Sequence, residues 1–217
     1  MPIPGKGILI TSMNIAAEHE DEFNLWYDRE HLAERVAIDG FLEARRWVAD
    51  NANPKYFATY STAAFEDLSS PAYSQALANQ TAWSKTNIAR FEDMIRVVGR
   101  ITHSRGQGRG GDLCVVRLRP GEKDRTSLRS KIFDLMDPAM VLGLISMHLI
   151  ESDPVLSKSL TEPDKPNPGA SDWFILVEGT DLQVLDRIAT ERFSNVGVQM
   201  VSKGTYKLMW DLAKSDL

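Results

Sequence analysis

Cysteine is almost absent from this chain of 217 residues: Cys114 is its one thiol. No disulfide can close within the chain, which excludes the small disulfide-stapled class and fits a reducing compartment. Its neighbours Leu113, Val115 and Val116 are apolar, so Cys114 reads as a buried strand thiol and not as a nucleophile. A basic surplus is also lacking. With a net charge of −5 and a pI near 5.4, the composition argues against a nucleic-acid partner, which would need Lys and Arg gathered on one face. The Gly-Arg-rich stretch 104–111 could touch a phosphate, yet it reads more simply as a flexible linker between two strands. No apolar run approaches the ~20 residues of a membrane span, and residues 1–7 lack the charged leader and apolar stretch of a signal peptide. The expectation is a cytoplasmic protein without a membrane partner. Phosphate-binding glycine loops, dinucleotide fingerprints and a Gly-x-Ser-x-Gly elbow are missing. His19, His31, His103 and His148 are scattered without a close pair, so no metal site is expected.

What is present is 43% hydrophobic composition, enough for a full core in one large domain or two smaller ones. Gly7–Asn14 is a β-branched apolar run that reads as a buried strand. Residues 18–38 form an amphipathic helix, with Glu18, Glu20, Asp21 and Glu22 favouring its N-terminal dipole. Asp39-Gly40 breaks that helix. Residues 41–48 and 56–61 then read as a hairpin around an Asp50–Pro54 turn. Residues 63–90 carry two helical pieces, the second phase starting where Ser70 can cap and Pro71 can take the first helical position. Residues 91–103 form a strand. The order strand, helix, strand, strand, helix, strand is that of a ferredoxin-like βαββαβ unit. It repeats as strand 113–118, helix 124–137, strands 142–151 and 173–178, helix 182–190 and strand 198–210. The expected class is α+β, with tandem ferredoxin-like halves at 1–105 and 111–217. Residues 152–172, rich in Pro, Asp, Ser and Asn, form a long connection of the kind that often serves as a lid.

The run Trp26-Tyr27-Asp28-Arg29-Glu30-His31-Leu32-Ala33-Glu34-Arg35, followed by Ile38-Asp39-Gly40-Phe41 and Ala44-Arg45-Arg46-Trp47, resembles the signature of the dimeric α/β-barrel superfamily. It is most similar to the members related to ethyl tert-butyl ether degradation (EthD-like). Their pattern is an aromatic residue, a histidine a few positions on, and a Pro-Gly-Phe-like turn into the second strand. This chain keeps Tyr27, His31 and Gly40-Phe41 and has Ala33 and Asp39 where many relatives have proline. The resemblance implies two four-stranded sheets closing face to face into an antiparallel barrel with helices outside. Two chains usually do this; tandem halves could do it within one, which leaves a homodimer open through an exposed sheet edge. Haem occurs on distant barrel relatives but needs an axial histidine, and none is singled out here. No cofactor is expected.

At 100° per residue, Leu25, Trp26, Leu32, Ala33 and Val36 share one arc of the first helix, with Arg29 in its middle. Such an arginine must snorkel to the sheet edge or meet a ligand carboxylate. On another flank Tyr27, Asp28, His31 and Arg35 lie within a turn of one another. A carboxylate can orient a histidine, and a tyrosine can donate to a developing oxyanion. The candidate catalytic residues are therefore His31, Tyr27 and Asp28; the alternative for His31 is a surface or packing role. Alternation on the second strand sends Arg45 to one face with Phe41, Glu43 and Trp47, and Arg46 to the other with Leu42, Ala44 and Val48. One arginine must enter a buried layer, as a structural ion pair or as an anion-binding group. His148 shares a strand face with Ser146 and Ile150, and is either a pocket residue or a satisfied core histidine. Candidate substrate contacts are Arg46, Trp26, Arg35 and His148.

The functional expectation is cofactor-independent proton transfer on an oxygenated or aromatic metabolite, as in an isomerase, cyclase or lyase. His31 would be the base, with Tyr27 and Arg46 stabilising negative charge. The alternatives are a non-catalytic small-molecule binding or accessory protein, and a purely structural barrel. A polar-lined cavity favours the first, an apolar one the second and none the third.

Overall fold

The computed structural model describes residues 2–121, 125–158 and 166–217. Its strands are β1 (Gly7–Asn14), β2 (Phe41–Asn51), β3 (Tyr56–Thr62), β4 (Glu92–Gly106), β5 (Asp112–Arg119), β6 (Leu144–Ser152), β7 (Trp173–Gly179) and β8 (Gln199–Ala213). They close into one antiparallel barrel in the order β1-β3-β2-β8-β5-β7-β6-β4. The order β4-β1-β3-β2 is that of a ferredoxin-like sheet, and β8-β5-β7-β6 repeats it. The two sheets join where β2 pairs β8 and β4 pairs β6. Closure gives every strand two neighbours, so the exposed edge through which a homodimer was expected does not exist among the described residues.

The helices lie outside the barrel. In the first half these are α1 (Glu20–Trp26), α2 (Leu32–Ala37), α3 (Pro71–Ala78) and α4 (Ala82–Ile88). In the second they are α5 (Arg125–Leu135) and α6 (Leu182–Phe193). The expected cap forms: Ser70 Oγ accepts from Tyr73 N at 3.2 Å ahead of Pro71. Asp124, expected to begin α5, and the middle of the 152–172 loop lie outside the described residues. Gly40 ends the first helical segment at φ +88°, where a side chain would also strike Asp67.

Strands β1, β3 and β7 are buried along nearly their whole length, because helices cover one face and the barrel interior the other. That is why they read as continuous apolar runs and not as alternating ones. Ile8, Ile10, Trp47, Phe57 and Val97 meet Leu113, Val115, Phe174, Leu176 and Tyr206 inside the barrel. Leu9, Met13, Phe23, Trp26 and Phe41 form the layer between the first sheet and its helices. Phe41 was expected on Arg45's face. A bulge between Phe41 and Glu43 inserts one residue and turns Phe41 outward onto Tyr73, at 5.3 Å between rings.

The 104–111 segment is not a free linker. Residues 104–106 extend β4, Arg109 pairs with Glu43 at 2.5 Å, and Gly110 O accepts from Arg45 at 2.8 Å. Gly110 packs so closely on Gly179 that a Cβ would lie 1.9 Å from its carbonyl oxygen.

Candidate active site

The first helix is not regular. Tyr27–His31 form a π-helical turn between α1 and α2, in which Leu32 N–H donates to Tyr27 O five residues back. A π turn adds a residue without adding a step around the helix, so everything after it is rotated back by about 100°. This phase change puts His31 and Arg35 on the same face as Phe23 and Tyr27, all of them buried. With a regular helix Glu30 and Glu34 would occupy that face. The expected arc therefore fails in part: Leu25 and Arg29 are exposed, and Arg29 needs no partner. Deleting Arg29 should convert the π turn to an α turn while leaving His31 and Arg35 inward. We expect a stability change below about 1 kcal/mol in a urea melt, whereas deleting Glu34 from regular α2 should cost several times more.

The inward face borders a cavity of about 1140 Å³ between the first sheet and its helices. Leu9, Thr11 and Met13 of β1, Tyr60 of β3 and Arg96 of β4 line it with Tyr27, His31 and Arg35. The second half contributes Arg117 and residues 166–168, so part of the 152–172 loop does border the cavity. Its described parts are pinned, with Ser157 Oγ bonded to both the N–H and carbonyl of Val98. A shallower surface groove of about 660 Å³ beside α6 is lined by Met140, Leu142 and Arg187. It contains none of the candidate residues.

His31 is buried, and its Nδ1 has no hydrogen-bond partner. Burial first, then the nearby Arg35 and Arg46 charges, hold its pKa well below the usual 6.5, so the ring is neutral, with weaker proton affinity than a free imidazole. The ring stands 4.4 Å from Trp26 and 4.9 Å from Tyr27, centroid to centroid. Tyr60 Oη donates to Tyr27 Oη at 3.0 Å. The Tyr27 proton is thereby left to point at Thr11 Oγ1, 3.4 Å away, or into the cavity. Burial and the neighbouring Tyr27 push the Tyr60 hydroxyl well above pKa 10, so it remains a donor.

The other candidates lie elsewhere. Asp28 does not orient His31; its Oδ1 accepts from Arg46 Nη1 at 2.7 Å. Arg46 also donates to Asn24 and stacks on Phe23, Tyr27 and Tyr56, with its Cζ 4.5 Å from the Tyr27 ring centre. Engaged in this way behind Tyr27, Arg46 is not among the residues lining the cavity, so it is not placed to meet an oxyanion. Trp26 anchors its indole N–H on Glu30 and Ser84 and backs His31 without lining the cavity. His148 is on the barrel's inner face, with Nδ1 2.9 Å from Ser104 Oγ and Nε2 3.3 Å from Ser146 Oγ. Burial, aided by Arg45 and Arg109, lowers its pKa to about 3. It is a satisfied core histidine. Both arginines of the second strand are in structural pairs, Arg45 with Glu178 at 2.5 Å. Cys114 is buried, and burial pushes its thiol up to about 12.

A protein described as anthrone oxidase-like superposes with a TM-score of 0.68 at 9% identity, covering 98% of this chain and 94% of that one. A candidate monooxygenase from Lactobacillus acidophilus gives 0.57 at 9% identity over 97% of both chains. A mutant chlorite dismutase from Candidatus Nitrospira defluvii gives 0.53 at 10% identity, covering 95% and 92%. No family profile and no curated protein matches the sequence. The chain has a ferredoxin-like α/β-barrel fold.

In this α/β barrel both sheets come from one chain, and the first half carries the cavity-lining polar groups between sheet and helices. On β1 the outward residues are Leu9, Thr11 and Met13; on its counterpart β5 they are Cys114, Val116 and Leu118. Trp173, Ile132 and Phe193 fill the second half's layer. Thr11, Tyr60 and Arg96 were missed in the sequence. Their signal was there, as polar residues on strand faces that otherwise carry apolar side chains. Among the described residues no three His, Cys, Asp or Glu side chains gather as a metal site, and no helix is long and apolar enough to cross a membrane.

Proposed function

We propose that the first-half cavity performs cofactor-independent proton transfer on an oxygenated aromatic molecule. The observation that carries this reading is a neutral, buried His31 with an unpartnered Nδ1, beside a Tyr27 hydroxyl whose proton is directed by Tyr60. His31 takes a proton from a carbon next to a carbonyl, and the C–H electron pair moves onto the carbonyl oxygen. Tyr27 donates a hydrogen bond to the oxyanion formed there. Returning the proton from His31 to a different carbon gives an isomerase; expulsion of a leaving group gives a lyase, and attack of the carbanion on a second carbonyl a cyclase. The anthrone oxidase-like neighbour supports an aromatic ketone whose enol is a phenol. The resemblance at Tyr27, His31 and Gly40-Phe41 supports an EthD-like reading, with 1–105 carrying the chemistry and 111–217 closing the pocket.

The test is hydrogen–deuterium exchange at the acidic carbon of anthrone, followed by NMR in oxygen-free D₂O. The protein should accelerate exchange, and His31→Gln should lose about 10²–10⁴-fold of that acceleration without a lower melting temperature. Tyr27→Phe should lose less. Anthrone bound without faster exchange would leave a non-catalytic binding protein. A haem absorption band that forms with the wild type and is lost in His31→Gln would overturn the cofactor-independent reading.

A further inference from the structure

The geometry points to a substrate that carries a carboxylate before any reaction, held by Arg35 as the anion anchor of the cavity. This rests on the cavity being the substrate site, and not on His31 acting as a base.

Five arginines are buried among the described residues: Arg35, Arg45, Arg46, Arg96 and Arg117. Four have acceptors. Arg45 has Glu178, Arg46 has Asp28, and Arg117 has Asp172. Arg96 donates to Leu156 O at 2.7 Å. Arg35, 4% exposed, lines the cavity, and its guanidinium makes no hydrogen bond or ion pair to any described residue. A buried cation without an acceptor is costly, so this one is held for something that enters. The acidic residue on the lining, Asp93, accepts from Asn14 Nδ2 at 2.9 Å. Lys85 and Arg96 add further positive charge to the wall, so the cavity is cationic within a chain of net charge −5.

A single guanidinium fork matches the two oxygens of a planar carboxylate. The surrounding Leu9, Met13, Tyr60, Tyr73 and Phe91 suit an aromatic body. The ligand class is therefore an aromatic carboxylic acid. Burial chiefly depresses His31, with Arg35 and Arg46 adding to it; binding would neutralise the Arg35 contribution and so strengthen the base when substrate is in place.

The experiment is calorimetric titration with 2-naphthoate and its neutral isostere 2-naphthamide. Wild type should bind the acid about tenfold or more tightly than the amide. Arg35→Gln should abolish the preference, Arg35→Lys should keep part of it, and His31→Gln should keep all of it, which separates this inference from the acid–base reading. Since Arg35 satisfies no described group, Arg35→Met should melt at or above the wild-type temperature. Equal affinity of acid and amide for the wild type, a preference that survives in Arg35→Gln, or a sharply lowered melting temperature in Arg35→Met would each overturn the assignment.

Discussion

Glu178→Ala should destabilise the fold by about 3–5 kcal/mol, a large share of the roughly 5–15 kcal/mol that holds a domain together. Glu178 on β7 is 1% exposed and Arg45 on β2 is 2% exposed, with Nη1 and Oε2 2.5 Å apart. These strands are not neighbours, being separated by β8 and β5, so the pair spans the barrel interior and ties the two halves together. Truncating the carboxylate leaves the guanidinium with Gly110 O and with Asp211, 3.5 Å from Nε and on the half-exposed rim. Neither replaces a buried countercharge. Removing both partners should cost much less than the single change, because Arg45→Met with Glu178→Leu takes the desolvated charges away together. A double-mutant cycle in urea measures the difference as a coupling energy. If Glu178→Ala lost under about 1 kcal/mol, Arg45 would have to be escaping to Asp211, and the pair would not be the brace of the barrel.

Most of the fold was legible because its strands are covered on both sides and its turns carry strong breakers, such as Asp39-Gly40 and Ser70-Pro71. The ends of the strands were less so: β2 runs to Asn51 and β4 to Gly106, because cross-barrel pairing extends them past their apolar stretches. The candidate site was half legible. Tyr27, His31 and Arg35 do share a cavity, but Asp28 went to Arg46, a partner 18 residues away that local spacing cannot reveal. The buried arc was misplaced for one reason. A constant 100° per residue puts Arg29 inward, whereas the π turn at Tyr27–His31 loops it out. The clue was energetic: a regular helix would have buried Glu30 and Glu34 against apolar strands. The bulge before Glu43 had the same effect on Phe41, since any inserted residue flips the alternation of a strand.

Burial of two histidines also governs how the protein responds to acid. His31 and His148 both have pKa values below 6.5 in the folded state, well below for His31 and about 3 for His148, chiefly through burial. The unfolded chain takes up both protons near pH 6.5, while the folded chain does not until the depressed values are reached. Stability must then fall as pH drops through 6.5, by about 1.4 kcal/mol per pH unit for each histidine. Between pH 6.5 and 5 His148 should remove about 2 kcal/mol, and His31 acts in the same direction. Carboxylates raised by burial, Glu43 and Glu34, oppose this, because the folded state holds their protons more tightly, but they act mainly toward the lower end of that range. Urea titrations at half-unit pH steps should show the acid slope roughly halved in His148→Gln and nearly flat in the double variant with His31→Gln. A slope unchanged in both single variants would mean that neither histidine is buried neutral, and would remove the basis for treating His31 as a base. If the slopes behave as expected, exchange activity should hold through pH 6 and fail at lower pH with unfolding, since the base needs no proton removed from it to work.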